Sequence, residues 1–255
     1  MSSLNVFITG GASGIGFGIA SALAASGHHV ILADINEDAA NSAASQLSEQ
    51  GFSASAVVVD VTSAESVSAL PGQLQDTPVD VLVNNAGIQH VAKLEEFPAQ
   101  KWQQLINIML VGPALLTQAF LPDMKARNFG RIINIGSIHS LVASPYKSAY
   151  VSAKHGLLGL AKTLALEIGE ADITVNTICP AYVKTPLVEK QIADQAKENG
   201  ISEEQVINEI MLKPMPKKAF ITIEELASTA QFLISDAARN ITAQTLVLDG
   251  GWTAR

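Results

Sequence analysis

Residues 5–16 read NVFITGGASGIG, and this stretch decides the fold. The first five have the apolar, β-branched character of a buried strand, the glycines end it, and residues 17–26 continue as a helix. Glycines let a backbone turn sharply and approach a phosphate, which then binds the amides at a helix N-terminus. The spacing is Gly-x-x-x-Gly-x-Gly and not the commoner Gly-x-Gly-x-x-Gly. Taken alone, this motif is equally compatible with an ordinary tight loop.

The next strand carries a second signal for a dinucleotide. Residues 29–33 end at Asp34, 20 positions after Gly14. A carboxylate there accepts hydrogen bonds from ribose hydroxyls and repels a 2′-phosphate, and no Arg or Lys precedes Lys93. The sequence therefore predicts NAD as the cofactor, and not NADP. The residues predicted to surround its pyrophosphate are Gly10, Ser13, Gly14, Ile15 and Gly16.

Strands and helices alternate along the whole chain. Apolar, β-branched segments recur at 5–9, 29–33, 53–59, 79–83, 130–136, 172–178 and 244–248. Helical periodicity fills the gaps, including 101–125 and 150–169. This order predicts an α/β fold, a doubly wound, parallel, seven-stranded sheet of the Rossmann type. We expect a single domain over 1–255, with a two-helix substrate flap at about 185–221, because long excursions at the carboxyl edge of such sheets usually serve a ligand.

Composition excludes several classes of function. Hydrophobic residues are 48% and charged residues 16% of the chain, which suits a sheet covered on both faces. A net charge of −8 argues against nucleic acid as a partner. One cysteine fits a reducing compartment, and the first strand leaves no room for a signal peptide, so we expect a cytoplasmic protein. No segment approaches 18 uninterrupted apolar residues and no metal-ligand spacing occurs, so neither a membrane span nor a metal site is predicted.

Ser137, Tyr150 and Lys154 are the candidate catalytic residues. Tyr150 and Lys154 lie four apart on a predicted helix and share one face, and Ser137 follows the apolar strand at 130–136. A phenol, an ammonium and a hydroxyl around one oxygen suit proton transfer from an alcohol while a hydride leaves its carbon. Lys154 and the positive nicotinamide ring are both expected to lower the pKa of Tyr150.

Four motifs together resemble the short-chain dehydrogenase/reductase family: TGGASGIG at 9–16, NNAG at 84–87, Ser137, and Tyr150-x-x-x-Lys154. The resemblance covers essentially the whole chain. It implies that Asn107 is a fourth catalytic residue, whose backbone carbonyl holds a proton-relay water. It also implies further contacts with the cofactor. These are Asp60, Val61, Asn84, Ala86, Gly87, Tyr150, Lys154, Pro180, Val183 and Thr185.

Within this family the chain is similar to the bacterial (R)-3-hydroxybutyrate dehydrogenases. The similar segments are NAGIQH (85–90), SIH (137–139), LVAS (141–144), KSAY (147–150), TPLVEKQI (185–192) and DGGWTAR (249–255). The similarity implies that the carboxylate of a small hydroxy acid is bound by an ammonium, an imidazole and two amides, all donors to an anion. The residues implied at the substrate are Gln89, Ser137, His139, Lys147, Tyr150, Tyr182, Gln191 and Trp252.

Departures from that group leave alternatives open. Ala181 and Tyr182 stand where the group usually has Gly-Trp, and Gly136 and Ile138 flank Ser137 where Ala is usual. The smaller ring at Tyr182 raises the question of a longer 3- or 4-hydroxy acid. Another candidate is an enzyme for a different substrate, such as a polyol, a steroid, a 3-oxoacyl thioester or another neutral secondary alcohol. A non-catalytic nucleotide sensor on the same fold is the remaining alternative.

Assembly is implied only by the resemblance. Family members are usually homotetramers, paired through the long helices that start near 101 and 150 and through the last strand. An apolar stripe on the second helix suits such a contact or, alternatively, packing on the chain's own sheet. Its members are Leu157, Leu160, Ala161, Leu164 and Ala165.

Overall fold

The structure, a computed structural model, describes residues 3–254, apart from the side chains of Pro186, Leu187 and Glu198. Seven strands form one sheet. They are β1 (Asn5–Thr9), β2 (His29–Asp34), β3 (Ala54–Val58), β4 (Val81–Asn84), β5 (Gly130–Ile135), β6 (Ile173–Pro180) and β7 (Thr245–Leu248). Every pairing is parallel, in the order β3-β2-β1-β4-β5-β6-β7. The predicted doubly wound, parallel, seven-stranded sheet is confirmed.

Ten α-helices of the described chain connect these strands. They are α1 (Gly14–Ala25), α2 (Glu37–Glu49), α3 (Ala64–Ser68), α4 (Leu70–Gln73), α5 (Ala99–Ile106), α6 (Gly112–Arg127), α7 (Ser148–Glu167), α8 (Pro186–Asn199), α9 (Glu203–Gln205) and α10 (Ile223–Ile234). A π-helical turn, Asn107–Val111, joins α5 to α6, and a second, Val206–Met211, follows α9. The helix predicted at 101–125 is therefore interrupted at Asn107, the predicted catalytic position, and π turns inside α-helices are frequent at functional sites.

Apolar side chains cover both faces of the sheet. One core cluster joins the sheet to α1, α2 and α10, and the other joins it to α3, α6 and α7. Strands β4, β5 and β6 are buried along their whole length. This burial explains why these strands lack an alternating apolar and polar pattern, and their few polar members, such as Arg131, Asn134 and Asn176, are themselves buried.

The apolar stripe on α7 packs inside the chain. Leu157, Ala161, Leu164 and Ala165 are buried, and the last three belong to the core cluster on that face of the sheet. Leu160, the fifth member of the stripe, is only half-buried, so most of the stripe packs on the chain's own sheet, and the subunit contact stays a prediction. The exposed apolar residue of α7 is Leu166, whose relative exposure is 87%.

Among the described residues, one helical run, Ala99–Arg127, is long and apolar enough to cross a membrane by length and composition. The prediction from uninterrupted apolar segments did not identify it, because its polar residues are scattered among apolar ones. Leu105, Met109, Leu116 and Phe120 of this run are buried in the cores of the chain. A core helix of a globular protein can have the same length and composition, so a single run of this kind is weak support for a membrane span.

The excursion between β6 and α10 forms its own small core. Ile192, Val206 and Met211 are buried there and pack against neighbouring apolar side chains. A bridge between Val183 and Ile221 closes the base of the excursion. The predicted flap segment, residues 185–221, is thus held at both ends beside the carboxyl edge of the sheet.

Candidate active site

A cleft of about 860 Å³ lies at the carboxyl ends of the strands. Strand β1 has β2 on one side and β4 on the other, so the strand order reverses there, and ligands of open α/β sheets bind outside such a point. The predicted residues that line the cleft are Gly10, Ser13, Gly14, Ile15, Asp34, Asp60, Val61, Ala86, Gly87, Gln89, Asn107, Ser137, His139, Lys147, Tyr150, Lys154, Pro180, Tyr182, Val183, Thr185 and Gln191.

The glycine turn has the geometry that a pyrophosphate needs. Gly10 and Gly14 have φ angles of +60° and +55°, where a side chain is strained. No atom of the described residues, chain neighbours aside, lies within 4 Å of the position that a Cβ on Gly14 would occupy, and α1 begins at this residue. The Ser13 hydroxyl makes no capping hydrogen bond, so it and the first amides of α1 can bind an anion. These residues fit a dinucleotide.

Asn85 fixes the shape of this turn. Its Nδ2 donates to the carbonyls of Thr9 and Gly10, at 2.9 and 3.2 Å, and its backbone N–H donates to Thr9 Oγ1 at 3.0 Å. Gly16 packs under the same turn, where an added Cβ would lie 2.3 Å from the Gly10 carbonyl oxygen. The role of Gly16 in the structure is close packing, since it does not line the cleft.

Two carboxylates, Asp34 and Asp60, line the cleft near the ends of β2 and β3. Asp34, at the end of β2, accepts a hydrogen bond from the backbone N–H of Asn36 at 3.1 Å through Oδ1. Asp60 accepts two hydrogen bonds from Thr62 through its own Oδ1, at 2.8 and 2.7 Å. Because each bond is made to Oδ1, Oδ2 of each carboxylate can face a ligand in the cleft.

The proposed catalytic side chains come from β5 and α7. Ser137 follows β5 and accepts a hydrogen bond from the His139 backbone N–H at 3.1 Å. Tyr150 and Lys154 occupy the first two turns of α7, and the Lys154 ammonium lies 5.7 Å from the centroid of the Tyr150 ring. Lys154 is 5% exposed and donates to the Ile135 carbonyl at 2.6 Å. The strand end thus positions both the hydroxyl and the ammonium.

Burial controls the pKa values of this group. It raises the pKa of Tyr150, and a hydrogen bond with the Ser137 side chain opposes that change. Burial also lowers the pKa of Lys154 to about 8. In the protein alone, the Tyr150 pKa therefore moves opposite to the sequence-based expectation, because desolvation of the phenolate outweighs the favourable contacts.

A second polar group lies close to these residues. Lys147 Nζ is 3.5 Å from Nε2 of the buried His139 ring, which meets Tyr150 edge-on with centroids 6.1 Å apart. Gln89 Oε1 is buried and has no hydrogen-bond partner among the described residues. An amide that is buried without a partner is costly unless a ligand completes its hydrogen bonds.

Three predicted residues do not line the cleft. Gly16 packs under the turn, and Asn84 points away, donating from Nδ2 to Asn134 Oδ1 at 2.9 Å. Trp252 forms a wall behind the lining residues, stacked on Tyr182 with centroids 6.0 Å apart and edge-on to His139 at 6.2 Å. Arg255, the last residue of the predicted terminal segment, lies outside the described residues.

Several residues of the cleft were not predicted from the sequence. The glutamines of α5 line it together with Asn107, and their spacing of i, i+3, i+4 and i+7 is a signal that could have identified them. The lining residues not predicted include Ile35, Thr62, Ile88, Gln100, Gln103, Gln104, Ile108 and Met109. Among residues 3–254, no group of three or more His, Cys, Asp or Glu side chains is arranged to hold a metal ion.

One known protein family matches most of the chain. Residues 4–196 match the sequence profile described as short chain dehydrogenase. The chain belongs to this family. The dehydrogenase is an oxidoreductase that takes a small-molecule substrate, and the fold and family indicate a nicotinamide cofactor.

Two relatives are similar to this chain over nearly its full length. A D-beta-hydroxybutyrate dehydrogenase of Rhizobium meliloti (strain 1021) is 47% identical, and the match covers 97% of this chain and 98% of the relative. A protein of the same name from Cupriavidus necator is 43% identical, with 97% of both chains covered. These relatives confirm the resemblance to hydroxybutyrate dehydrogenases.

A solved structure of another protein is similar to this chain in fold. It is a gluconate 5-dehydrogenase from Burkholderia cenocepacia J2315 in complex with NADP and tartrate. Its TM-score is 0.91, its sequence identity is 32%, and the match covers 100% of this chain and 97% of that one.

Proposed function

We propose that the dehydrogenase is an NAD-dependent (R)-3-hydroxybutyrate dehydrogenase, which interconverts this acid and acetoacetate. One observation carries the proposal: the Ser137, Tyr150 and Lys154 group and the Lys147 ammonium line the same cleft. A neutral alcohol would not require a second cation in the cleft in addition to Lys154. The names of the two relatives support this assignment.

Proton transfer is assigned to Tyr150, and a bound nicotinamide supplies the hydride acceptor. Tyr150 removes the proton of the substrate hydroxyl, and in the reverse direction it returns that proton. Because burial raises the pKa of Tyr150, the phenolate needs the nearby cation of Lys154 to form at neutral pH. Ser137 donates a hydrogen bond to the substrate oxygen and stabilises the charge that develops on it. Asn107 stands at the π turn, where its backbone carbonyl is proposed to hold a relay water.

The carboxylate of the substrate is assigned to Gln89, His139, Lys147 and Gln191. All four residues line the cleft. Lys147 supplies the charge, since the chain as a whole has a net charge of −8 and would otherwise repel an acid. Of the Gln89 amide, Nε2 is the group that can donate to the carboxylate, because the buried Oε1 only accepts hydrogen bonds.

NAD is the proposed cofactor because Asp34 lines the adenosine end of the cleft. A 2′-phosphate beside this carboxylate would be repelled, although the similar gluconate dehydrogenase structure contains NADP. Thr185, Pro180 and Val183 are assigned to the nicotinamide end. Thr185 caps α8 by accepting from the Val188 N–H at 3.4 Å, which orients its side chain at the cleft.

The alternative substrate is a longer hydroxy acid or one with an additional hydroxyl. The observation that favours it is Tyr182, which lines the cleft and makes no side-chain hydrogen bond to the described residues. Burial raises the pKa of Tyr182, so its hydroxyl remains protonated and can donate. A Tyr182→Phe variant would lose activity selectively toward such a substrate, whereas activity toward 3-hydroxybutyrate would change little.

A cytoplasmic homotetramer is proposed as the working form. Four exposed apolar side chains support an assembly. They lie on the α5–α6 run, α7, α10 and β7, and they are Val111, Leu166, Phe232 and Val247. Light scattering of the purified protein at several concentrations tests this assignment, and a monomer at every concentration would reject it.

The function is tested by mixing the protein with NAD and each enantiomer of 3-hydroxybutyrate, and following the absorbance of the reduced cofactor. Rapid reduction with the R enantiomer alone is expected. If neither enantiomer reacts although NADH still binds, the carboxylate assignment is wrong and the substrate is a different alcohol. NADP in place of NAD, at equal concentration, tests the cofactor assignment in the same assay.

A further inference from the structure

The last strand is followed by a buried carboxylate that takes no part in the proposed reaction. Asp249 comes directly after β7. Its Oδ1 accepts a hydrogen bond from the Gly251 N–H at 2.8 Å, and its Oδ2 accepts from the N–H and the hydroxyl of Thr253, at 2.7 and 2.6 Å. Both oxygens therefore fold residues 249–253 into a turn, and bonds to a carboxylate are stronger than bonds between neutral groups.

The same hydrogen bonds keep the carboxylate charged. Burial acts to raise the pKa of Asp249, but its hydrogen bonds with Thr253, Gly251 and Trp252 together outweigh burial and lower that pKa. An asparagine would place an NH2 group, which only donates, against the N–H of Gly251 or the donors of Thr253. A neutral amide therefore cannot replace the carboxylate without losing at least one bond of the turn.

Two glycines let the turn pack closely on the end of the flap segment. Gly250 and Gly251 have φ angles of +59° and +90°, in the left-handed region that favours glycine. A Cβ on Gly250 would lie 3.1 Å from Met215, and one on Gly251 would lie 3.2 Å from Pro216. The Gly250 carbonyl also accepts a hydrogen bond from the Lys217 N–H at 3.1 Å. The backbone of the turn is thus fixed on one side.

On its other side the turn carries Trp252 to the back of the cleft wall. The Trp252 ring stacks on Tyr182, with centroids 6.0 Å and planes 26° apart, and meets His139 edge-on. Tyr182 lines the cleft and also packs against the small core of the flap. Because side chains in contact are close-packed, a displacement of Trp252 changes the support of the wall in front of it.

We infer that Asp249 is a positioning residue, whose carboxylate folds the C-terminal turn and so holds Trp252 in place behind the wall of the cleft. Asp249 does not itself line the cleft, and it acts through Trp252. The inference rests on the proposed function for its consequence in catalysis, whereas the placement of Trp252 does not depend on the substrate.

The first test uses the fluorescence of Trp252 and needs no substrate. The chain has two tryptophans, so Trp102→Phe leaves Trp252 as the only one. In this background, Asp249→Asn should raise the acrylamide quenching constant at least about twofold, because loss of bonds in the turn exposes the ring. Asp236→Asn, the same change at an exposed position, is the matched control and should leave quenching unchanged. Equal quenching in the two variants would overturn the inference.

A milder pair of variants decides the question if circular dichroism shows that Asp249→Asn does not fold. Thr253→Val removes the hydroxyl donor but keeps the Thr253 N–H and the shape of the side chain, whereas Thr253→Ser keeps the hydroxyl. In the Trp102→Phe background, quenching should be about 1.5-fold higher in the valine variant than in the serine variant. The absence of any difference between them would count against the role of Asp249.

The second test is a double-mutant cycle on the KM for (R)-3-hydroxybutyrate. Asp249→Asn should raise KM about fivefold, with kcat and NADH affinity within about twofold, because the turn supports the wall and not the reacting groups. In a Trp252→Leu background the same substitution should change KM by less than about twofold. A fivefold rise that persists there means that Asp249 acts by another route, and the inference is wrong. If (R)-3-hydroxybutyrate is not a substrate, the proposed function fails but the quenching result stands.

Discussion

Replacing Lys154 with methionine should stabilise the fold in a pH-dependent way while abolishing turnover. The ammonium is 5% exposed, and burial lowers its pKa from 10.5 to about 8. At neutral pH, this difference in pKa lowers the free energy of unfolding of the wild type by about 3 kcal/mol. Methionine has a similar length and no charge, so it removes this penalty.

The direction in which stability changes with pH follows from proton binding. As the pH falls from about 10.5 to about 8, the unfolded chain binds a proton on Lys154 that the folded chain does not, and wild-type stability decreases. Below about 8 both states are protonated, so the penalty is constant. The stability difference between variant and wild type should therefore grow by about 2–3 kcal/mol, in favour of the variant, between pH 10 and pH 7.

This comparison cancels those consequences of the substitution that do not depend on pH. Loss of the hydrogen bond from Lys154 to the Ile135 carbonyl costs about 1–3 kcal/mol, but methionine does not titrate, so that cost is the same at both pH values. Urea unfolding without cofactor, at fixed protein concentration, gives the four free energies. Lys162→Met, at an exposed position of the same helix, is the matched control. A stability difference that is equal at pH 7 and pH 10 would refute the reasoning.

Three further predictions concern the cleft. Tyr150→Phe should lower kcat by about 10²–10⁴-fold, whereas NADH affinity measured by fluorescence titration stays unchanged. Asp34→Ser should weaken NAD binding and improve NADP, so that the ratio of their kcat/KM values shifts at least tenfold; an unchanged ratio would contradict the role of this carboxylate. Gly16→Ala should reduce NADH affinity at least about tenfold in the same titration, because the added Cβ would lie 2.5 Å from Asn85 Nδ2. Gly159→Ala, where the space is open, is the control and should preserve the affinity.

The strand and helix order was predictable because it follows from local patterns. Residues 5–9 and 29–33 were identified within one residue of β1 and β2, since each is a short apolar run that ends at a glycine turn or an acidic residue. Strand β6 extends two residues further than predicted, to Pro180, because the continuation is buried against β7. The π turn at Asn107 was not predictable, since it is a departure of one residue within an otherwise regular helical pattern.

Side-chain direction was the part of the site that local patterns did not determine. Asn84 and Asn85 are adjacent and chemically identical, but Asn84 bonds Asn134 across the sheet and Asn85 clamps the glycine turn. The α7 stripe was ambiguous for the same reason, since an apolar face is compatible with packing either on the chain's own sheet or on another subunit.

Local spacing in the sequence was sufficient to predict the sheet, the glycine turn and the proposed catalytic trio, because spacing along one strand or helix sets which side chains share a face. The charge and the contacts of these groups depend on the tertiary structure. Burial changes the pKa values of Tyr150 and Lys154, and the Val142 carbonyl and the Lys147 ammonium lie at opposite nitrogens of the His139 ring. Desolvation and hydrogen-bond direction depend on neighbours that are distant along the chain or displaced by a turn, and no local pattern encodes them.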